Sequence, residues 1–112
     1  MDVKTEFREV KIRSGKLAEA APEVMKAFGS AAEAMGKERA LPLKTKELIA
    51  LMLALSARCV PCIMAHVQKA IDAGVTREEV AEAIEVAILM GGGPASSYGG
   101  IVLEVYDQLK AK

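Results

Sequence analysis

The chain is poor in aromatic residues, in histidine and in cysteine. Only 4% of its 112 residues are aromatic, and there is no tryptophan. Much of the 52% hydrophobic fraction is alanine. Small side chains each remove little area from water, at roughly 25 cal/mol per Å². A chain of this length forms one domain, but such a core holds a lone domain only modestly, and self-association is the natural remedy. Charge of one sign is also lacking. Fifteen basic and fifteen acidic residues cancel to a formal net charge of zero, and no basic block interrupts their mixing. Nucleic acid and anionic membranes demand clustered positive charge, so neither is expected as a partner. Long hydrophobic runs are missing as well. The longest apolar stretch, Leu48 to Ala57, is about half of what a membrane span needs. The opening residues, Met1 to Glu6, are charged and contain no signal-peptide core. The expectation is a soluble, cytoplasmic protein. In that reducing compartment a Cys-x-x-Cys pair is more often catalytic or metal-binding than a structural staple.

What the chain does contain is concentrated. Its single histidine and both of its cysteines fall within Cys59-Val60-Pro61-Cys62-Ile63-Met64-Ala65-His66, and Glu47 precedes them. The pattern is Glu-x11-Cys-x2-Cys-x3-His.

The apolar spacing predicts an all-α fold, a compact bundle of five to six helices with a central antiparallel pair. Residues 1 to 13 are polar and without clear period, and a short helix is expected over Gly15 to Ala20. Pro22 opens a helix to about Lys37, with Val24, Met25, Phe28, Ala31, Ala32 and Met35 facing inward. Pro42 precedes a helix to about Ala57 that is apolar on nearly all sides, as a central core helix is. The next helix starts near Cys59 and ends at Gly74. Thr76 to Glu79 form a capping-box signature opening a helix to about Met90. Gly91-Gly92-Gly93 breaks the chain, and Pro94 starts a last helix through Leu109 that Gly99 and Gly100 make thin enough for close approach. The helices over 77–90 and 94–109 are apolar on more than one face, which points to a homo-oligomer.

On a helix, Cys62 and His66 share a face, and Cys59 lies one turn before Cys62. Cys59 stands at the helix start, where free N–H groups and the helix dipole favour a thiolate. With a turn near residues 57 and 58, Glu47 comes level with His66 across the antiparallel pair. Ala50 and Ala54 share its face and leave room for a carboxyl group and a water, an apolar setting suited to passing a proton. The result is a thiol nucleophile with a proton relay. Helix-start geometry favours Cys59 as the more acidic thiol, whereas the histidine four residues on favours Cys62. The same four residues are a possible zinc set, but ligands from adjacent turns of one helix fit a closed tetrahedral site poorly, so no metal and no cofactor is expected.

The Glu47, Cys59, Cys62 and His66 spacing, the turn from Gly74 to Glu79, and Met90-Gly91-Gly92-Gly93-Pro94 resemble the carboxymuconolactone decarboxylase superfamily, in its alkylhydroperoxidase D-like branch. The resemblance covers residues 15 to 109. It implies a helical fold assembled as homotrimers or homohexamers, with peroxidase or disulfide-reductase activity. It also implies roles: Cys62 attacks the peroxide, Cys59 condenses with the resulting sulfenic acid to give a disulfide, and Glu47 and His66 move the protons. A lipoyl or thioredoxin-like dithiol restores the thiols. Pro61 stands where the peroxidase prototype carries a second histidine, so that proton donor is absent here. The decarboxylase branch lacks the cysteine pair. The alternatives to a thiol oxidoreductase are a decarboxylating lyase of that branch and a non-enzymatic, redox-sensitive oligomeric scaffold.

Overall fold

The computed structural model describes residues 1–111, and among them every regular element is a helix: α1 (Val3–Ala20), α2 (Pro22–Met35), α3 (Leu43–Ser56), α4 (Val60–Asp72), α5 (Arg77–Gly91) and α6 (Gly93–Lys110). The expectation of an all-α bundle of five to six helices holds, with six. Among the described residues no helix is long and apolar enough to cross a membrane.

The core is held by α3, α4, α5 and α6. Leu51 and Leu55 of α3, Ile63, Met64 and Val67 of α4, Val80 of α5, and Val102 and Val105 of α6 are all fully or almost fully buried. The tightest helix pairs are α3 with α4 and α5 with α6. Gly99 is what lets the second pair close, because a Cβ there would lie 2.6 Å from Cγ2 of Ile84. Overlap at that distance would force the helices apart.

Several expectations need correction. Residues 1 to 13 are not irregular, and the short helix over 15–20 is only the end of one long α1. Asp2 caps it, accepting from the Thr5 amide at 3.2 Å. Val3 and Phe7 form a narrow buried stripe against α4 and α6, too short to stand out among charged neighbours. In α2 the expected inner face is only half inner: Met25, Ala32 and Met35 are partly covered, whereas Val24, Phe28 and Ala31 are exposed. The helix buries nothing and packs against α1 alone, leaving Val24 at 70% and Phe28 at 68% exposure. Its tie to the core is Lys46, whose ammonium donates to the carbonyls of Met35 and Lys37 at 2.8 and 2.7 Å. That contact satisfies carbonyls left free at the end of α2. α3 is central, yet Ile49 and Leu53 on its outer side are exposed. Of the two helices expected to keep spare apolar faces, only α5 does, through Val86, Leu89 and Met90. α6 is the centre of the bundle. Its Val102, Val105 and Tyr106 are buried, and Tyr98, Ile101 and Leu103 are partly covered.

Candidate active site

α3 and α4 are joined by three residues, and the join decides the site. The amide of Arg58 bonds the carbonyl of Leu55 at 3.0 Å, and that of Cys59 bonds Ala54 at 3.1 Å. This pair of bonds is a Schellman cap, which requires a left-handed residue at its centre. Arg58 supplies it with φ +56°, the one non-glycine residue with positive φ among those described. Cys59 then serves two helices. Its amide closes α3, and its sulfur caps α4 by accepting from the Cys62 amide at 3.2 Å.

The expected turn near residues 57 and 58 is thus correct, and so is the alignment built on it. Glu47 Oε2 meets His66 Nδ1 at 3.0 Å. Glu47 is 2% exposed and His66 25%. Glu47 is the only buried charged residue among those described, and the imidazole is its hydrogen-bond partner. A buried carboxylate without a partner costs several kcal/mol, so the pair fixes the ring and its tautomer together. With Nδ1 engaged by the carboxylate, Nε2 is the nitrogen left to exchange a proton.

Cys59 and Cys62 are joined as a disulfide, with Cα atoms 5.2 Å apart. Cys62 is exposed and Cys59 partly buried. All four residues singled out by the spacing therefore occupy the facing sides and the shared end of α3 and α4. The open space lies elsewhere than expected. It is a cleft of about 280 Å³ between the end of α2, the start of α3 and the end of α4, reaching Glu47 past Met35, Gly36, Leu43 and Ala73. The alanines of α3 do not make it; Ala54 is packed in the core. Arg58 was missed by sequence reasoning. The available signal was negative: no glycine lies between two abutting helices, so a residue with a side chain must turn left-handed.

Residues 22–104 match the profile of the carboxymuconolactone decarboxylase family. The chain belongs to that family. An uncharacterised protein of Cupriavidus necator is 37% identical over 98% of this chain and 97% of its own length. Uncharacterised protein 4 in the cox locus of Paracoccus denitrificans is 34% identical over 85% of this chain and 86% of its own. Among solved structures, a carboxymuconolactone decarboxylase family protein from Legionella pneumophila superposes with a TM-score of 0.92 at 36% identity, covering 97% of both chains. A family member from Thermotoga maritima, whose suggested role is in the antioxidative response, superposes at 0.81 with 25% identity over 94% of this chain and 90% of its own.

Proposed function

We propose that the protein is a thiol-dependent oxidoreductase of the alkylhydroperoxidase D-like kind, reducing peroxides or disulfides through Cys59 and Cys62. One observation carries the reading: a buried carboxylate, Glu47, holds the only histidine at 3.0 Å, on the helix whose N-cap and first turn carry the two cysteines.

In the reduced protein the Cys62 thiolate attacks a hydroperoxide, forming Cys62 sulfenic acid and releasing an alcohol. The thiol of Cys59 displaces hydroxide from that sulfur, giving water and the disulfide. Two thiols lose two electrons, and one O–O bond is cleaved. His66, backed by Glu47, takes the thiol proton and returns one to the leaving oxygen. In the reverse half, an external dithiol of lipoyl or thioredoxin-like type attacks the exposed sulfur of Cys62. The leaving Cys59 thiolate is stabilised by the Cys62 amide and the start of α4. The suggested antioxidative role of the Thermotoga maritima relative agrees with this chemistry.

We further infer that the protein works as a homotrimer or homohexamer. Val24 and Phe28 on α2, and Leu89 and Met90 on α5 at 82% exposure each, are apolar area that a second copy would cover. Stopped-flow mixing of reduced protein with a hydroperoxide tests the redox reading. Two thiols should be lost per peroxide, and a Cys62→Ser protein should not react. An equal rate in that variant overturns the reading. Lactone decarboxylation that survives alkylation of both cysteines would replace it with the lyase.

A further inference from the structure

We propose that Arg58 selects the substrate: the small dithiol or disulfide exchanged at Cys59–Cys62 carries a carboxylate, which the Arg58 guanidinium binds. The inference rests on the redox reading above and names the charge of its substrate.

Three observations converge. First, the fold asks for glycine at residue 58. The end of α4 is the same Schellman cap, with the Gly74 amide bonded to Ile71 and the Val75 amide to Ala70 at 3.0 and 2.9 Å, and there the left-handed residue is Gly74 at φ +84°. The chain places a long cationic side chain in that backbone conformation only beside the disulfide. A left-handed residue with a side chain is disfavoured, and such outliers persist where something else requires the residue. Second, the guanidinium is free. Among the described residues no carboxylate lies within 4 Å of Arg58, as is also true of Arg8 and Arg39, whereas Arg13 and Arg77 are paired; of the unpaired three, Arg58 is the one next to a cysteine. Third, the position suits the chemistry. Arg58 is exposed, directly precedes Cys59, and lines a pocket of about 100 Å³ with Leu55, Ser56, Gly91, Pro94 and Ala95, none of them acidic. A planar guanidinium binds a carboxylate with two parallel hydrogen bonds.

The redox step itself leaves Arg58 unchanged. A substrate thiolate attacks Sγ of Cys62, the Cys59–Cys62 bond breaks, and Cys59 leaves as a thiolate. The second substrate thiol then displaces Cys62 from the mixed disulfide. The substrate ends as a cyclic disulfide, and two electrons have passed to the protein. Arg58 acts before this sequence, by raising the local concentration of an anionic reductant and orienting it.

The test is the reduction rate of the oxidised full chain by two dithiols that share their thiols and differ in one group: dihydrolipoate, which carries a carboxylate, and dihydrolipoamide, which carries a neutral amide. Wild type should favour the acid several-fold at low salt, and the preference should shrink as salt screens it. Arg58→Asn, a residue that tolerates the left-handed conformation, should bring the ratio to one. Arg58→Lys should keep part of it, and Arg58→Glu should invert it. Taking the ratio within each protein cancels any change in cysteine reactivity, and circular dichroism confirms that each variant is folded. Equal rates in the wild type, or an unchanged ratio in Arg58→Asn, overturn the inference while leaving the redox reading in place. If neither dithiol reduces the disulfide, the inference falls, and the hydroperoxide assay on reduced protein decides the redox reading separately.

Discussion

The two ends of α4 begin from the same backbone device and come to opposite uses. At its start the α3 cap turns on Arg58 and delivers Cys59 and the exposed Cys62. At its finish the cap turns on Gly74 and delivers Val75, which is 2% exposed. The finish is then tied down. The Tyr106 hydroxyl donates to the Val75 carbonyl at 2.9 Å. Thr76 and Glu79 complete a capping box, Lys44 pairs with Glu79, and Arg77 grips Asp107 through two bonds of 2.8 and 3.1 Å. At the start, the bonds beyond the cap are the Cys62 amide on the Cys59 sulfur and the pair set deeper between Glu47 and His66. Thirteen residues of helix separate the two ends, about 20 Å. One end is tied closed, and under the proposed redox function the other is opened by chemistry. Changes at the first should move stability, and changes at the second should move rate.

The sharpest break would come from the relay. Glu47→Gln keeps the shape and removes the charge behind His66. Thiol oxidation by hydroperoxide should slow by roughly 100-fold, the usual worth of a positioned acid or base. His66→Ala should slow it similarly per folded molecule, and it should also cost stability, because it leaves the buried Glu47 carboxylate without its partner. A collapse in stability for His66→Ala, with oxidation per folded molecule unchanged, would show that the histidine is structural. At the closed end the expectation is mirrored. Tyr106→Phe strips the Val75 carbonyl of its partner in a buried setting and should cost about 1–3 kcal/mol. Its oxidation rate should stay within a factor of two or so of wild type, since a hydrogen bond of this kind touches no reacting group.

A smaller effect tests the two caps against each other. Gly74→Ala puts a side chain into a left-handed position and should destabilise by about 1–2 kcal/mol. No neighbouring atom lies within 4 Å of the added carbon, so any loss reports the backbone alone. Arg58→Gly reverses the change and should stabilise by about 1 kcal/mol or less, because glycine also frees the unfolded chain. If Arg58→Gly destabilises instead, the arginine makes contacts in the folded state that outweigh its backbone cost, and the idea that it stands there against the fold's preference fails.

The closed end was legible in the sequence and the open end was only half so. Gly74, Thr76 and Glu79 each carry a local signal, and none needs a distant partner to be understood. Glu47 and His66 could be aligned by counting from a turn, because two abutting helices of known rise leave little freedom. Arg58 left no such trace, since its left-handed conformation follows from how α3 and α4 meet. The early chain was opaque for a related reason. Val3 and Phe7 are too few to announce a helix, and they matter because α6 receives them, with the Gln108 side chain accepting the Val3 amide at 2.8 Å. For α2, amphipathic spacing showed which face was apolar but not what would cover it, and within this chain only Met25, Ala32 and Met35 of that face are partly covered. Glu47's cleft was misplaced on the same account, because it depends on where α2 stops.

Acid should separate the two ends with the smallest effect. Thr5 amide and hydroxyl bonds hold the Asp2 carboxyl below its usual range, but that group lies far along the chain on α1. The two other depressed carboxyls sit at the closed end. The Lys44 ammonium and the Thr76 amide hold Glu79 down, and the Arg77 guanidinium holds Asp107 down while Asp107 in turn raises Arg77. A carboxyl that is more acidic folded than unfolded contributes stability above its unfolded value, and that contribution is lost as the pH falls through the folded one. The loss therefore begins near the ordinary values of 4.5 for Glu79 and 3.8 for Asp107 and is complete below their lowered values. Both groups lie at the surface and only partly covered, so salt should mute the effect. Amide hydrogen exchange at pH 6 and at pH 3.5 reads it locally. Protection of the first turn of α5, from Arg77 to Val80, should weaken in acid more than that of the first turn of α4, where Cys59 caps through a sulfur that cannot titrate while it is in the disulfide. Equal weakening at both ends would mean that the ties around Val75 add nothing beyond the shared cap, and the two ends would differ only in the residue at which the backbone turns.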